Sequence, residues 1–196
     1  MPRTVDVETR RRDIAAAVRG VLARDGVDAV TMRNVANELG ATTGLLTHWV
    51  PNRIGLIRLA LEETANEQTD RAVAVLLRRP EDVIGAMEEF MPLDPDRLAE
   101  MKVWLGFWAL AISDQTLRAE QRDRYRDFRV RLTAHLRGLG VSAARAQSGT
   151  ELAIATADGI AVAAVLEPEH WTPARQRRHL RAVIGYALPD LAPARR

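Results

Sequence analysis

The sequence has no cysteine and a single lysine, Lys102, among its 196 residues. Without cysteine there can be no disulfides, thiolate metal ligands or thiol nucleophiles. Long hydrophobic runs are also missing, because the longest uncharged apolar stretch, 103–112, is about half of the ~20 residues that a membrane span needs. The first residues contain no apolar segment typical of a signal peptide. We therefore expect a cytoplasmic protein that does not act at a membrane.

Sequence patterns of catalytic and metal sites are scarce. Only four histidines occur, and none forms an HxxxH or HExxH motif. The Glu-x-x-His segment from Glu167 to His170 contains Pro168 and has no second copy, whereas a di-iron helical bundle uses two. No phosphate-binding glycine loop is present. We expect no catalytic residue, no metal and no cofactor, with a small all-α enzyme as the weaker alternative.

Strand signals are nearly absent, while apolar residues recur at spacings of three and four. This periodicity predicts an all-α fold. Capping residues, prolines and glycines divide the chain into nine helices. Their predicted bounds are about 7–24, 31–40, 42–48, 52–77, a fifth helix with Pro80 in its first turn, 95–113, 115–137, 142–166 and 173–188.

The stretch TMRNVANELGATTGLLTHWV, which begins at Thr31, has the pattern of a helix-turn-helix. Gly40 supplies the backbone freedom for the turn. Thr42, Thr43 and Thr47 place short hydrogen-bonding side chains on the second helix, as reading of DNA base edges and phosphates requires. The spacing alone is equally typical of an ordinary corner between two helices.

The longer stretch TMRNVANELGATTGLLTHWVPNRIGLIRLAL resembles the DNA-binding region of TetR-type transcriptional repressors, and the likeness covers about residues 7–62. Two positions depart from the family pattern: Thr47 stands where a tyrosine is most common, and Val50 replaces a phenylalanine. The segments GLLTHWVPNRIGL and VWLGFWALAISDQTLRAEQRDRYRDFRVRL are more weakly similar to the choline-responsive repressors of the betaine pathway within this family.

The resemblance implies a helix-turn-helix DNA-binding domain at 1–51 and a helical ligand-binding and dimerisation domain at 52–196. It also implies a repressor that binds double-stranded operator DNA and is released by a small-molecule effector. A ligand-independent DNA-binding or adaptor protein is the alternative.

Carried over by position, the resemblance assigns DNA contacts to one set of residues. Leu45 and His48 would face the floor of the major groove, and Arg53 would bind phosphate. Trp49 would either contact phosphate or fill the core. The full set is Thr31, Thr42, Thr43, Leu45, Thr47, His48, Trp49 and Arg53. The arginine run 10–12 is either a DNA-binding arm or, with more weight, a solvated face.

Two further surfaces are predicted in the C-terminal part. The eighth helix is rich in small residues that let two helices approach closely, which predicts a homodimer with four helices at its interface. The residues assigned to this interface are Leu152, Ala153, Ala157, Ile160, Ala161 and Ala164. A buried helix of a monomer is the alternative.

Aromatic residues concentrated around one helix predict the wall of a ligand cavity. Trp104 and Trp108 are one helical turn apart. The residues assigned to the cavity are Trp104, Phe107, Trp108, Phe90, Met91 and Trp171. Aromatic faces suit a quaternary ammonium such as choline, but the sequence reveals no carboxylate dedicated to such a cage. The alternative is that these side chains simply fill the core.

Overall fold

The computed structural model describes residues 7–189, and this part of the chain is helical with no strand. Its helices are α1 Val7–Asp25, α2 Met32–Glu38, α3 Thr43–Thr47, α4 Arg53–Arg78, α5 Val83–Glu88, α6 Pro95–Ser113, α7 Gln115–Gly138, α8 Ala143–Leu166 and α9 Pro173–Ala187. One 3-10 turn, Val27–Ala29, lies between α1 and α2. The predicted all-α class and the nine-helix layout are confirmed for the described residues.

Side-chain caps fix most of the helix starts. The side chains of Thr31, Thr42, Asn52, Asp94 and Thr172 each accept a hydrogen bond from the backbone N–H three residues further on. Such a bond satisfies an N–H that has no partner within the helix, and it stabilises the helix by about 1 kcal/mol. These helices therefore start within about a residue of the position that the sequence predicts.

The predicted start of α5 is wrong. Pro80 lies outside the helix, which begins at Val83 after the capping residue Asp82. The carboxylate of Asp82 accepts a 2.8 Å hydrogen bond from the N–H of Gly85. The carbonyl of Pro80 is instead hydrogen-bonded to Nε2 of His135, at 2.7 Å. The aspartate cap, and not the proline, therefore sets the first turn of α5.

Two hydrophobic cores hold the helices together. The first joins α1, α2, α3 and the N-terminal half of α4 to α6, where Val103 and Phe107 are fully buried. The second joins α5, α7, α8 and α9 around Leu136, Leu180 and Ile184. Since α4 and α6 pack into the first core, this core extends beyond residue 51, the predicted end of the N-terminal domain.

By length and composition, α8 is apolar enough to cross a membrane. This helix packs against α7 and α9, and the side chains of Ala153, Ala157 and Ile160 lie in the second core. A buried core helix passes the same test of length and hydropathy, so this property of α8 is weak evidence for a membrane span.

Candidate DNA interface and effector cavity

Helices α2 and α3 form a helix-turn-helix with a short second helix. Gly40 ends α2 with a φ of 62°, a left-handed conformation that glycine adopts without steric cost. Within α3 only Leu46 is buried, so this side chain anchors the helix to the first core. Thr43, Leu45 and Thr47 are exposed. The second helix therefore presents most of its surface outward, as a recognition helix must.

The threonine hydroxyls of this motif are in different hydrogen-bonding states. Oγ1 of Thr31 accepts from the N–H of Asn34 at 3.1 Å, and Oγ1 of Thr42 accepts from the N–H of Leu45 at 3.3 Å. Both hydroxyls can still donate a hydrogen bond to a phosphate. The Thr47 hydroxyl donates to the carbonyl of Gly44 at 2.8 Å, so it would have to rotate before it could donate to DNA.

The structure gives Arg53 a positioning role at the start of α4. Its Nε donates to the carbonyl of Val30 at 2.9 Å and its Nη2 donates to the carbonyl of Val27 at 2.8 Å. Asp28 lies 3.5 Å from the same guanidinium. Arg53 thus ties α4 to the segment that precedes α2, and its phosphate contact stays a prediction. Trp49 is half-buried and packs against the first core.

The arginine run of α1 contacts neighbouring acidic residues. Arg11 reaches across to α4, where it pairs with Glu62 at 2.8 Å and Glu63 at 2.7 Å. Arg12 pairs with Glu8 one turn away. In this structure two of the three arginines therefore form ion pairs on the protein surface.

A cavity of about 280 Å³ lies among α4, α6, α7 and α8. Two aromatic pairs form part of its wall: the ring centroids of Trp104 and Trp108 are 5.9 Å apart, and those of Phe90 and Phe128 are 5.1 Å apart. Its lining residues are Ala65, Asn66, Gln68, Thr69, Met87, Phe90, Met101, Trp104, Trp108, Gln121, Arg124, Tyr125, Asp127, Phe128, Arg131, Ile154, Ala157 and Asp158.

Three of the six residues predicted for this cavity lie elsewhere. Phe107 is fully buried in the first core, because one step along α6 from Trp108 rotates a side chain by about 100°. Met91 is buried in the second core. Trp171 contacts the ring of His170 edge to face and the ring of His179 at a tilt, with centroid distances of 5.8 Å and 5.3 Å. The cavity walls thus retain Phe90, Trp104 and Trp108 from the predicted set.

The cavity contains a carboxylate that the sequence analysis missed. The hydroxyl of Tyr125 donates to Oδ2 of Asp158 at 2.6 Å. Burial raises the pKa of Asp158 above its ordinary value, and the hydrogen bond from Tyr125 offsets part of this increase. Burial also raises the pKa of the Tyr125 phenol. One signal could have revealed this site: Asp158 is the only charged residue between Glu151 and Glu167.

A chain of polar contacts leads from the cavity wall into α4. Nε1 of Trp104 donates to Oε1 of Gln68 at 3.0 Å, and Nε2 of Gln68 donates to Glu100 at 3.0 Å. Glu100 in turn accepts from Arg71 at 2.7 Å, and Arg71 also pairs with Glu89 at 3.1 Å. We call the contacts of Trp104, Gln68, Glu100 and Arg71 the α4–α6 network. It connects an aromatic side chain in the cavity to two successive turns of α4.

Most of the residues assigned to a dimer interface on α8 lie in the interior of the chain. Of the six assigned residues only Leu152 is exposed, whereas Ala153, Ala157, Ile160, Ala161 and Ala164 are buried within the chain. Small residues let α8 pack closely on its own neighbours, as the monomer alternative stated. The outward face, which we call the α8–α9 face, consists of exposed and half-buried residues: Leu152, Ala155, Gly159, Val162, Ala163, Leu166, Ala182 and Tyr186.

No group of three or more histidine or acidic side chains able to hold a metal ion occurs in residues 7–189. The polar groups gathered in the cavity are amides, arginines, two aspartates, a threonine and a tyrosine. Such a set can bind an organic molecule through hydrogen bonds, charge and aromatic faces.

The family model of the BetI-type transcriptional repressor C-terminal region matches residues 80–189. Two curated relatives agree with this match. The transcriptional regulator PksA of Bacillus subtilis is 28% identical over 86% of this chain and 84% of the relative. The transcriptional regulator BetI of Vibrio parahaemolyticus is 25% identical over 86% of this chain and 87% of the relative.

Solved structures match over nearly the whole chain. A transcriptional regulator from Rhodococcus superposes with a TM-score of 0.81 at 26% identity, covering 92% of this chain and 96% of the other. A protein of Saccharomonospora viridis, solved in complex with choline, superposes with a TM-score of 0.76 at 21% identity, covering 91% and 97%. At 21% identity, the match to the Saccharomonospora protein shows a similar fold and nothing more.

The fold and the sequence relatives define a transcriptional regulator of the helix-turn-helix class, and the proteins that it matches are not enzymes. The chain belongs to the TetR family, with a C-terminal region of the BetI type.

Proposed function

We propose that this protein is a homodimeric repressor that binds a palindromic operator and leaves it when a small molecule enters the cavity. The observation that carries the proposal is the position of α4. Its middle turns, including Gln68, line the cavity, and its first residue, Arg53, is hydrogen-bonded to the segment that precedes α2. One rigid helix therefore connects the effector cavity to the DNA-binding motif.

The DNA contacts divide by chemistry. The hydroxyls of Thr31, Thr42 and Thr43, at or beside helix N-termini, suit phosphate contacts that carry no sequence information. Leu45 suits contact with a thymine methyl group, and His48 suits a hydrogen bond to a base edge. In a two-fold dimer the recognition helices enter successive major grooves about 34–36 Å apart, so the operator is a near-palindrome.

The α8–α9 face supplies the dimer contact. Leu152, Leu166 and Tyr186 are 40%, 73% and 85% exposed, respectively. Ala155 and Gly159 lie between the leucines along α8, and small side chains there allow a second helix to approach closely. Four helices, two from each protomer, would cover these apolar side chains.

Coupling between ligand binding and DNA binding requires the ligand to prefer one of two conformations of the protein. A ligand releases DNA only if it binds the non-DNA-binding arrangement more tightly, and DNA must then weaken ligand binding by the same factor. A molecule in the cavity contacts α4 directly and also Trp104, which is bonded to Gln68. Displacement of α4 would change the spacing of the two recognition helices.

The cavity favours an effector with a cationic group. Trp104, Trp108 and Phe128 line the same space as the half-buried Asp158. An aromatic wall that includes a carboxylate suits a quaternary ammonium. The Saccharomonospora protein of similar fold holds choline, so choline is the first compound to test. Operator binding of this kind takes place in the cytoplasm.

The test starts with an operator selected from random duplex DNA. Binding is measured by fluorescence anisotropy at several salt concentrations, with and without choline and other small organic cations. We expect nanomolar binding to a near-palindrome that a cation weakens. If no cavity ligand changes operator affinity, the ligand-independent regulator is the correct alternative. If no duplex is enriched, the DNA-binding assignment is wrong.

A further inference from the structure

We infer that the molecule bound in this cavity is a small zwitterion, in which a carboxylate is joined to the organic cation. This inference rests on the proposed function, because it names the chemical class of that effector. It differs from a simple ammonium ligand in one respect: the cavity wall also contains the guanidinium of Arg124, which suits an anionic oxygen.

The guanidinium of Arg124, which lines the cavity, lacks a partner. No hydrogen bond or ion pair joins Arg124 to another of residues 7–189, and its terminal nitrogens, unlike Nε, remain accessible. The guanidinium nitrogens can only donate, and the group stays protonated at all physiological pH values. A bound molecule with a carboxylate would give these donors an acceptor in the geometry that a guanidinium prefers.

A buried acceptor in the same wall also lacks a partner. Gln121 is about nine-tenths buried, and its Oε1 accepts no hydrogen bond within the described residues. Gln121, Arg124, Tyr125 and Phe128 are spaced three and four residues apart on α7, so they share one face of the helix. The bound molecule therefore meets Arg124, Tyr125 and Phe128 on the same helix face.

The cavity is lined by two arginines and two aspartates, and its two half-buried charged groups are not in contact with each other. Arg124 and Asp158 both line it, yet no ion pair within 4.0 Å joins them in the part of the chain that is described. The other two charged lining residues, Asp127 and Arg131, are exposed. A pure cation would leave Arg124 without an oppositely charged partner, and a pure anion would leave Asp158 with the Tyr125 hydroxyl alone. A zwitterion provides an opposite charge for each.

Size restricts the class further. A cavity of about 280 Å³ lies at the lower end of the range for small-molecule sites, roughly 300–1,000 Å³. It suits a metabolite-sized molecule. The test therefore uses choline, which ends in a hydroxyl group, and trimethylammonium carboxylates with one, two or three methylene groups between the charges.

Affinities are measured by isothermal titration calorimetry on the full-length protein. We expect at least one carboxylate to bind about tenfold more tightly than choline, the gain typical of a hydrogen bond to a charged group. Arg124→Met should remove this advantage, because it keeps the length of the side chain but not its donors. Asp158→Asn should weaken choline and the carboxylates alike.

The control is Arg122→Met, which alters an exposed arginine on the same helix outside the cavity. Circular dichroism melting curves establish that each variant folds. The inference is overturned if choline binds as tightly as every carboxylate, if the carboxylate advantage survives Arg124→Met, or if none of the probes binds.

Operator release, measured separately, distinguishes the two proposals. A carboxylate that binds through Arg124 but leaves operator affinity unchanged contradicts the proposed function and supports the ligand class. Release by choline with no gain from a carboxylate contradicts the ligand class and supports the proposed function.

Discussion

Asp158 illustrates how a single residue can favour ligand binding at the expense of stability. It is the one charge in an otherwise uncharged stretch of α8, and its partner in the described chain is the Tyr125 hydroxyl. Burial raises its pKa, so the folded protein holds a proton on this carboxyl more tightly than the unfolded chain does. Its contribution therefore favours folding below the unfolded pKa of about 3.9 and is lost as the pH rises through the higher folded pKa.

We predict that Asp158→Asn does not destabilise the ligand-free protein at pH 7. Asparagine keeps an acceptor for the Tyr125 hydroxyl and never ionises, so the cost of a buried charge disappears. The melting temperature should equal or exceed that of the wild type at pH 7, and the difference should shrink towards pH 4. Differential scanning fluorimetry measures both, with the exposed Asp127→Asn as the control. A melting temperature several degrees lower at pH 7 would contradict this account.

Cation affinity should depend on pH through the same residue. Protonation of Asp158 removes its negative charge, so the affinity of the wild type for choline should fall as the pH falls through the raised pKa. The charged groups near it are the arginines Arg124, Arg129 and Arg131, which keep their charge in acid, and the exposed Asp127, which the Asp158→Asn variant retains. Asp158→Asn should therefore bind choline weakly and with little pH dependence. Calorimetric titrations from pH 5 to 8 test this, and an unchanged pH profile in the variant would assign the effect elsewhere.

His48 is the residue predicted to read a base. It is exposed at the C-terminal end of α3. We expect His48→Ala to relax preference at one base position of each half-site, at a cost of about 1–3 kcal/mol on the cognate sequence. Anisotropy titrations against operators mutated one position at a time provide the measurement. The control is His179→Ala, which removes an exposed histidine in the C-terminal part of the chain. Equal effects of the two variants would exclude this role for His48.

At the scale of elements, α4 is the helix that belongs to both halves of the molecule. Its first half packs in the core of the helix-turn-helix, and its middle contributes Gln68 to the cavity and to the α4–α6 network. The amide of Gln68 accepts from Trp104 and donates to Glu100. A ligand that shifts the Trp104 ring therefore acts on α4 through a hydrogen bond as well as through direct contact.

We predict that Gln68→Met weakens the coupling between ligand and DNA. Methionine fills a similar volume but leaves the Trp104 N–H unpaired, which should cost about 1–3 kcal/mol of folding stability. The ratio of operator affinities with and without saturating choline should move towards one. Gln147→Met, at an exposed position of α8, controls for loss of an amide. An unchanged ratio in a folded Gln68→Met protein would show that α4 is coupled by direct ligand contact alone.

At the scale of the whole molecule, the proposed dimer depends on the α8–α9 face. Its exposed apolar residues lie on the side of α8 and α9 away from the second core. Exposed apolar side chains of this kind are typical of an interface between copies of one chain.

We predict that Leu166→Glu converts the dimer to a monomer. Leu166 is 73% exposed on the proposed interface, and two-fold symmetry would bury the new charge twice. Leu77→Glu is the matched control, since Leu77 is 80% exposed at the end of α4. Sedimentation equilibrium should give twice 21.8 kDa for the wild type and the control, and 21.8 kDa for Leu166→Glu. A wild-type monomer would remove the dimer from the proposed function.

Sequence alone determined the features that depend on local chemistry. Caps such as Thr42, Asn52 and Asp94 set helix starts because their side chains bond to N–H groups three residues away. Gly40 set the turn because few other residues adopt its positive φ. The order of these signals also carried the likeness to TetR-type repressors, and therefore the family. The weak point was α5, where a proline signal competed with an aspartate cap two residues away.

Tertiary structure alone decided which face of each helix meets which neighbour. Phe107 and Trp108 are adjacent in α6, yet the first fills the core and the second lines the cavity. Ala153 and Ala155 are two residues apart in α8, yet only Ala155 is exposed. In a helix with apolar residues all round, composition does not choose the inner face, because the choice depends on packing with helices far away in sequence. The pairing of Tyr125 with Asp158, 33 residues apart, arises in the same way.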